Sequence, residues 1–266
     1  MLTEFLDFPS NTWRGKYSLT NEAYHAAPGI SASSLHWLEE SPVHFDNKHL
    51  FRTETKSLNF GSLVHALILE EDLVNTDYAI MPTVNLRTAQ GKDDLAFFEQ
   101  SNQSKIIINQ ADYDKALVMK RNVTAICGNL FDFSQGEAES AFFAEDDGLL
   151  LKCKPDFFMP DYKIVVDIKT IADASEGGIR PAIRQYRYDW ASVFYPKVLG
   201  LLGFEVSNFV FVFVESTPPH TVKVRVIDGE TLFNATNEVN FMLDKYRQYK
   251  EDGVAELYKV IKVFGN

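Results

Sequence analysis

The stretch KPDFFMPDYKIVVDIKT, residues 154–170, decides how the chain is read. Its second half, KIVVDIKT, is rich in β-branched residues and reads as a strand after the Pro160-Asp161 turn. Side chains alternate along a strand, so Asp167 and Lys169 share one face while Val166 and Ile168 take the other. A segment that only packs has no use for a carboxylate and an ammonium there. The neighbouring strand ends near Asp156, and a hairpin through Met159-Pro160-Asp161 brings Asp156 beside Asp167. Two such carboxylates repel unless a cation sits between them. Mg2+ suits the place, because it is hard, prefers oxygen ligands and keeps waters. Lys169 would then lie near an attacking water, able to orient it or to stabilise charge developing on a phosphate. These residues point to metal-assisted hydrolysis of a phosphodiester.

Outward from this stretch, the patterns alternate in kind. Residues 1–30 read as an irregular arm ending at Ala27-Pro28-Gly29. SASSLHWLEESP reads as a capped helix running to Pro42. SLNFGSLVHALILEEDLV places Phe60, Leu63, Val64, Leu67 and Ile68 on one helical face. Residues 75–100 are mixed and polar, and Arg87, Thr88, Gly91 and Lys92 read as a loop. NQADYDKALVMKRNVTAICG is a second amphipathic helix. AESAFFAEDDGLLLKCKPDFF then reads as a hairpin turning at Asp146-Asp147-Gly148. Residues 179–203 return to helix, NFVFVFVE and TVKVRVID are strands, and GETLFNATNEVNFMLDKYRQYKEDG closes the chain as a helix. The expected class is α/β, a central mixed β-sheet flanked by helices. The division expected is a single domain over 1–266. Within it are the arm 1–30, a mainly helical part 31–130, a catalytic sheet with a long helix over 137–228, and a C-terminal helix over 229–266.

Composition narrows the function. The 266 residues are 45% hydrophobic, enough for one sizeable core. No run of eighteen apolar residues suggests a membrane span, and MLTEFLDFPSNTW does not read as a signal peptide. Two cysteines, Cys127 and Cys153, are too few for a disulfide framework or a four-cysteine metal site, which fits a reducing, cytoplasmic setting. The net charge of −11 argues against a generic basic nucleic-acid binder. It leaves open an enzyme that gathers carboxylates around a cation. No Gly-x-x-x-x-Gly-Lys-Ser/Thr occurs, so the chain is not read as an ATPase or as its own helicase.

Pro155-Asp156, ten intervening residues and Asp167-Ile168-Lys169 resemble the PD-(D/E)XK nuclease signature. GSLVHALILE resembles the histidine-bearing helix of RecB-like and RecE-like nucleases, and GEAESAFF their glutamate segment. YHAAPGISASSLHWLEESPVHF, RTAQGK, KCKPDFF, DIKTIADAS and YRYDWASVFY are similar to RecE-type exonucleases in the same order, over roughly residues 22 to 215. The resemblance implies a restriction-endonuclease-like core related to lambda exonuclease. It implies Mg2+-dependent digestion of linear duplex DNA from the 5′ end in phage or prophage recombination, with Mn2+ able to substitute. It also implies a homo-oligomer threaded by DNA and a single-strand annealing recombination protein as partner.

Carried over by position, His65, Asp156, Asp167 and the Ile168 carbonyl would be metal ligands. Glu139 would bind the metal or orient a water, and Lys169 would assist the nucleophile. Glu137 is the alternative to Glu139, the two being read on one strand face. Tyr195 matches the tyrosine of a Gln-x-x-x-Tyr motif that contacts DNA or supports the site. Arg87, Thr88 and Lys92 would grip a 5′ phosphate or else form a plain polar loop. One departure stands out: the expected glutamine falls at Ala191, with Gln185 or Tyr188 as substitutes. The alternatives are a structure-specific or single-strand nuclease on the same scaffold, and a catalytically silent relative that binds DNA or a host protein.

Overall fold

Ile164–Ile171 is a strand, and its alternation sets the layers of the molecule. The computed structural model describes residues 13–50 and 56–252. It opens with β1 (Gly15–Tyr17) and α1 (Asn21–Ala26), whose first turn is capped by the Thr20 hydroxyl. The segment 13–30, expected as an irregular arm, is therefore built from two elements; residues 1–12 lie outside the described part. Next come α2 (Leu35–Glu40) and α3 (Pro42–Asp46). Pro42 ends one helix and starts the other, because its missing N–H costs nothing in a first turn and Ser41 caps the helix through the His44 N–H. Then follow α4 (Lys56–Leu69), α5 (Glu71–Asp77), β2 (Tyr78–Ile80), α6 (Ala89–Ser101), β3 (Ile106–Ile108) and α7 (Gln110–Cys127).

The second half carries β4 (Glu137–Ala138), β5 (Ala141–Asp146), β6 (Leu149–Cys153), β7 (Phe157–Met159) and β8, the strand Ile164–Ile171. Helices α8 (Glu176–Tyr186) and α9 (Tyr188–Leu201), strands β9 (Asn208–Glu215) and β10 (Val222–Arg225), and helix α10 (Gly229–Asp252) complete it. The residues expected as one helix over 179–203 are two, divided at Arg187, which adopts a left-handed φ of 52°. The residues expected as a loop, 87–92, also differ. Thr88 caps α6 by accepting the Gly91 N–H at 3.0 Å, so Gly91 and Lys92 belong to its first turn. A Cβ on Gly91 would stand 2.2 Å from the Asn85 carbonyl, so only glycine lets the cap close.

The central sheet has the order β10-β9-β8-β7-β4, with β8 and β9 parallel and the other pairs antiparallel. Phe157, Met159, Val166, Ile168, Val212 and Val214 face α4 and α7, where Leu63, Val64, Met119 and Val123 complete one core. Phe158, Val165, Phe209, Phe211 and Phe213 face α9 and α10, against Trp190, Phe194, Val198 and Leu243. Burial on both faces explains why β9 reads as a continuous apolar run. Each such side chain contributes about 1.5–3 kcal/mol on burial. The hairpin β5–β6 forms as expected, with φ of 48° at Asp147 and 77° at Gly148 supplying a primed turn. It pairs with β1 in a second sheet of order β1-β5-β6, not with the central one. Among the described residues, no helix is long and apolar enough to cross a membrane.

Candidate active site

The β7–β8 register pairs Phe157 with Val166, which sets Asp156 across from Asp167. The ladder stops there, after Pro155, which has no N–H to give. Past that point a side chain replaces the missing strand: Asp156 Oδ2 accepts the Ile168 N–H at 2.6 Å. Asp156 is thereby fixed in the plane of the sheet, between its two faces.

From the α4 side comes His65, half-buried beside Leu63, Val64 and Leu67, with Nδ1 3.6 Å from Asp156 Oδ2. From β4 comes Glu139. That strand is only two residues long, and Glu139 follows it with a left-handed φ of 51°, which breaks the alternation. Its N–H donates to the Asp156 carbonyl at 3.1 Å, and its carboxylate meets Lys154 Nζ at 2.6 Å. Glu137, expected on the same strand face, points elsewhere: it takes Lys16 at 2.9 Å and the Ser140 hydroxyl at 3.0 Å. His65, Glu139 and Asp156 each offer a ligand atom, all within 4.8 Å of one another.

Asp167 stands on the α9 side of β8 and is 1% exposed. Its Oδ2 lies 2.5 Å from Lys169 Nζ, yet neither carboxylate oxygen has a hydrogen-bond partner of good alignment. Lys169 Nζ also lies 5.3 Å from the Tyr188 ring centroid.

The electrostatics follow from burial. Burial pushes the Asp167 carboxyl up to about 6, against the pull of Lys169. It also raises Asp156, with Lys169 and the Ile168 N–H opposing, and raises Glu139, where the Asp156 charge adds to it. The same burial lowers His65, helped by Lys169, and favours the neutral imidazole that a metal requires. Burial pulls Lys169 down as well, but Asp167 and Asp156 outweigh it, and the ammonium is held above its ordinary value. Three buried carboxylates thus face two cations, Lys154 and Lys169. An imidazole and two carboxylates converge, and a third carboxylate, Asp167, is paired with Lys169. This donor set fits one hard divalent cation.

The model of the family described as PDDEXK-like domain of unknown function (DUF3799) matches residues 31–257. The chain belongs to this family. No curated protein matches it. Among solved structures, the PDDEXK-like chain is similar to a "Putative exonuclease" from Eubacterium rectale, at 15% identity and a TM-score of 0.56, covering 94% of this chain and 97% of that one. It also aligns with a phage related exonuclease from Haemophilus somnus 129PT, at 12% identity and a TM-score of 0.33, over 62% of this chain and 84% of that one. The first of these likenesses shows a shared fold, and the family's mixed sheet flanked by helices is the one described above.

Within the PDDEXK-like fold, the remaining expected residues lie outside the triad. Asp167 itself is set by alternation on the sheet face opposite His65, and it engages Lys169 in place of the triad. Ile168 contributes its N–H to Asp156. Tyr195 is half-buried on α9, edge-on to Phe209 at 5.7 Å, and its hydroxyl is pushed well up by burial and then by the Asp167 charge. Ala191 is buried on the same helix and supplies no polar group. Gln185 is exposed on α8 beside Arg184. Arg87 and Lys92 are exposed at the start of α6, and among the described residues no contact joins them to the triad.

One residue at the heart of the site was missed from sequence. Lys154, 8% exposed, holds Glu139 and also donates to Asn21 at 2.8 Å. Its signal was the spacing Lys152, Lys154, Asp156. Two lysines on one face of an apolar strand need buried acceptors, and Lys152 finds them in the Tyr24 and Ala27 carbonyls.

Proposed function

We propose that the chain is a metal-dependent deoxyribonuclease, an exonuclease that hydrolyses linear duplex DNA in the 5′-to-3′ direction during phage or prophage recombination. The observation that carries this reading is the convergence of His65, Glu139 and Asp156 beside the pair of buried Asp167 and half-buried Lys169. His65, Glu139 and Asp156 are the residues that would hold Mg2+, or Mn2+ in its place. A bound divalent cation would supply Lewis-acid polarisation of the phosphate and of the attacking water.

The chain's own groups divide the rest of the work. Lys169 is kept protonated by two carboxylates, so it donates hydrogen bonds and positive charge to the phosphate and does not act as a base. Asp167 has acceptor capacity to spare and holds Lys169 in place. Asp156 acts as the hinge between backbone and triad, since one oxygen is fixed by Ile168. Lys154 offsets the charge of Glu139. In a chain of net charge −11, Lys154 and Lys169 put positive charge where a phosphate must come. The proposal includes one nuclease domain over 1–266, assembly as a homo-oligomer around DNA, work in the cytoplasm of the host cell, and delivery of the surviving strand to an annealing protein.

The test incubates linear and circular duplex DNA with Mg2+ and compares wild type with Lys169→Ala. Loss of linear DNA alone, abolished by the substitution, is the expected result, and a 5′ or 3′ label reads the polarity. Cleavage of circles would move the reading to an endonuclease. Absence of cleavage with any divalent metal, alongside retained DNA binding, would move it to the silent relative that the buried Ala191 keeps in view.

A further inference from the structure

Tyr186 closes α8 and is 59% exposed, yet it does not lie on the outer face of that helix. Positions advance by about 100° per residue in an α-helix. Tyr186 therefore falls on the side of Ile179, Ala182 and Ile183, which pack into the core, and away from the exposed Arg180 and Arg184. It is exposed as the last residue of the helix. The Tyr188 ring stacks on it, with centroids 5.6 Å apart and planes at 26°. Beyond Tyr188 stands Lys169, 5.3 Å from the ring centroid. An aromatic row thus leads from solvent to the candidate catalytic lysine.

The row is built on a fixed turn. Arg187 bends the chain between the two tyrosines with its left-handed φ of 52°. Its guanidinium is bound by Asp189 and Glu238 and lies 3.8 Å from the Trp190 ring centroid. Trp190 in turn donates to Glu238 at 2.8 Å. A large exposed ring on so well anchored a turn, joined through Tyr188 to a positive charge, suits a flat aromatic ligand carried by an anionic backbone.

We propose that Tyr186 is a stacking platform for an unpaired nucleobase of the strand that is cut beside Lys169. This rests on the nuclease reading above. The base is unpaired because both faces of a base inside a duplex are already covered by its neighbours, whereas an end or a single strand leaves a face free. Stacking on a side chain accepts any base, which is what a sequence-indifferent nuclease needs.

The test measures binding of a short DNA oligonucleotide with 2-aminopurine at its terminal nucleotide, in Ca2+ without Mg2+ or Mn2+. Wild type should quench the 2-aminopurine fluorescence as the base stacks. Tyr186→Ala should lose the quench and bind about tenfold more weakly, with an unchanged melting temperature. Tyr186→Phe should retain both quench and affinity. The proposal is overturned if Tyr186→Ala quenches and binds like wild type, if Tyr186→Phe fails as badly as alanine, or if wild type binds no oligonucleotide. Cleavage is scored separately. A wild type that binds and quenches but never cleaves removes the nuclease reading and leaves the platform. A Tyr186→Ala variant that cleaves and binds normally removes the platform alone.

Discussion

The two ends of β8 obey different rules. Around Val165 and Val166 the strand has β7 on one side and β9 on the other, and apolar cores cover both faces. From Asp167 onward β7 is gone, and the open backbone is met by a carboxylate in place of a strand. The difference lies in what satisfies the backbone, since Asp167 and Ile168 are as buried as Val165 and Val166. Where a neighbouring strand departs, side chains must finish the hydrogen bonding, and charged groups become tolerable because they have donors to meet. The site is thus a consequence of the sheet's early end.

The largest effect should come from breaking the charged end. Asp156→Asn keeps an acceptor for Ile168 but removes the charge that metal and lysine need. Cleavage should fall by at least about 100-fold, while thermal unfolding stays near wild type. Asp156→Ala should lose the same activity and also about 1–3 kcal/mol of stability, since the buried Ile168 N–H is left without a partner. Equal stability for the two variants would show that the carboxylate does not replace the missing strand. The matching break at the apolar end of the comparison is Phe211→Ala on β9. It should cost about 3–5 kcal/mol by urea unfolding, with the specific activity of the folded fraction retained.

How much of this was legible depends on which physics wrote each part. The hairpin β5–β6 and strands β8 and β9 were readable, because turn chemistry and β-branched runs are local signals. Asp156 opposite Asp167 was readable from one turn and the two-residue period. The α6 start was not: its cap works through Asn85 and Gly91 meeting in space, and its residues are mostly polar, so they carry no apolar stripe. The break at Arg187 was hidden because a left-handed arginine is stabilised by Asp189 and Glu238, partners that composition cannot reveal. The choice between Glu137 and Glu139 turned on a single positive φ, which no residue type there announces. The same holds for Asp167 and His65. Each was legible as a candidate, but strand alternation and the position of α4 put them on opposite faces of the sheet.

A metal should sharpen the comparison next. A ligand that binds only the folded state, at about 100 times its dissociation constant, stabilises by about 2.7 kcal/mol. Mn2+ should therefore raise the melting temperature of wild type by several degrees. His65→Ala and Glu139→Ala should abolish the rise, because each removes one of three converging donors. Asp167→Asn should reduce it less, since Asp167 stands outside the triad. An equal loss in all three variants would mean that Asp167 is a ligand on the same footing as the others.

The smallest effect isolates the buried carboxylate itself, in chelated buffer. Asp167 is raised in the fold to about 6, while an unfolded aspartate titrates near 3.9. Between those values the folded state binds a proton that the unfolded state does not, so this group adds stability as the pH falls from 7 towards 5. His65 works the other way in the same window, because burial lowers it and the unfolded chain protonates first. Wild type alone would mix these with Asp156 and Glu139, which burial also raises, whereas comparison with Asp167→Asn isolates the Asp167 carboxyl and its coupling to its neighbours. The variant should be more stable than wild type at pH 7, and its advantage should shrink by about 1 kcal/mol by pH 5, read as a narrowing gap between two urea midpoints. An advantage that held constant across this range would mean that Lys169 already neutralises the carboxylate in full, and that the charged end of β8 stores no strain for a cation to relieve.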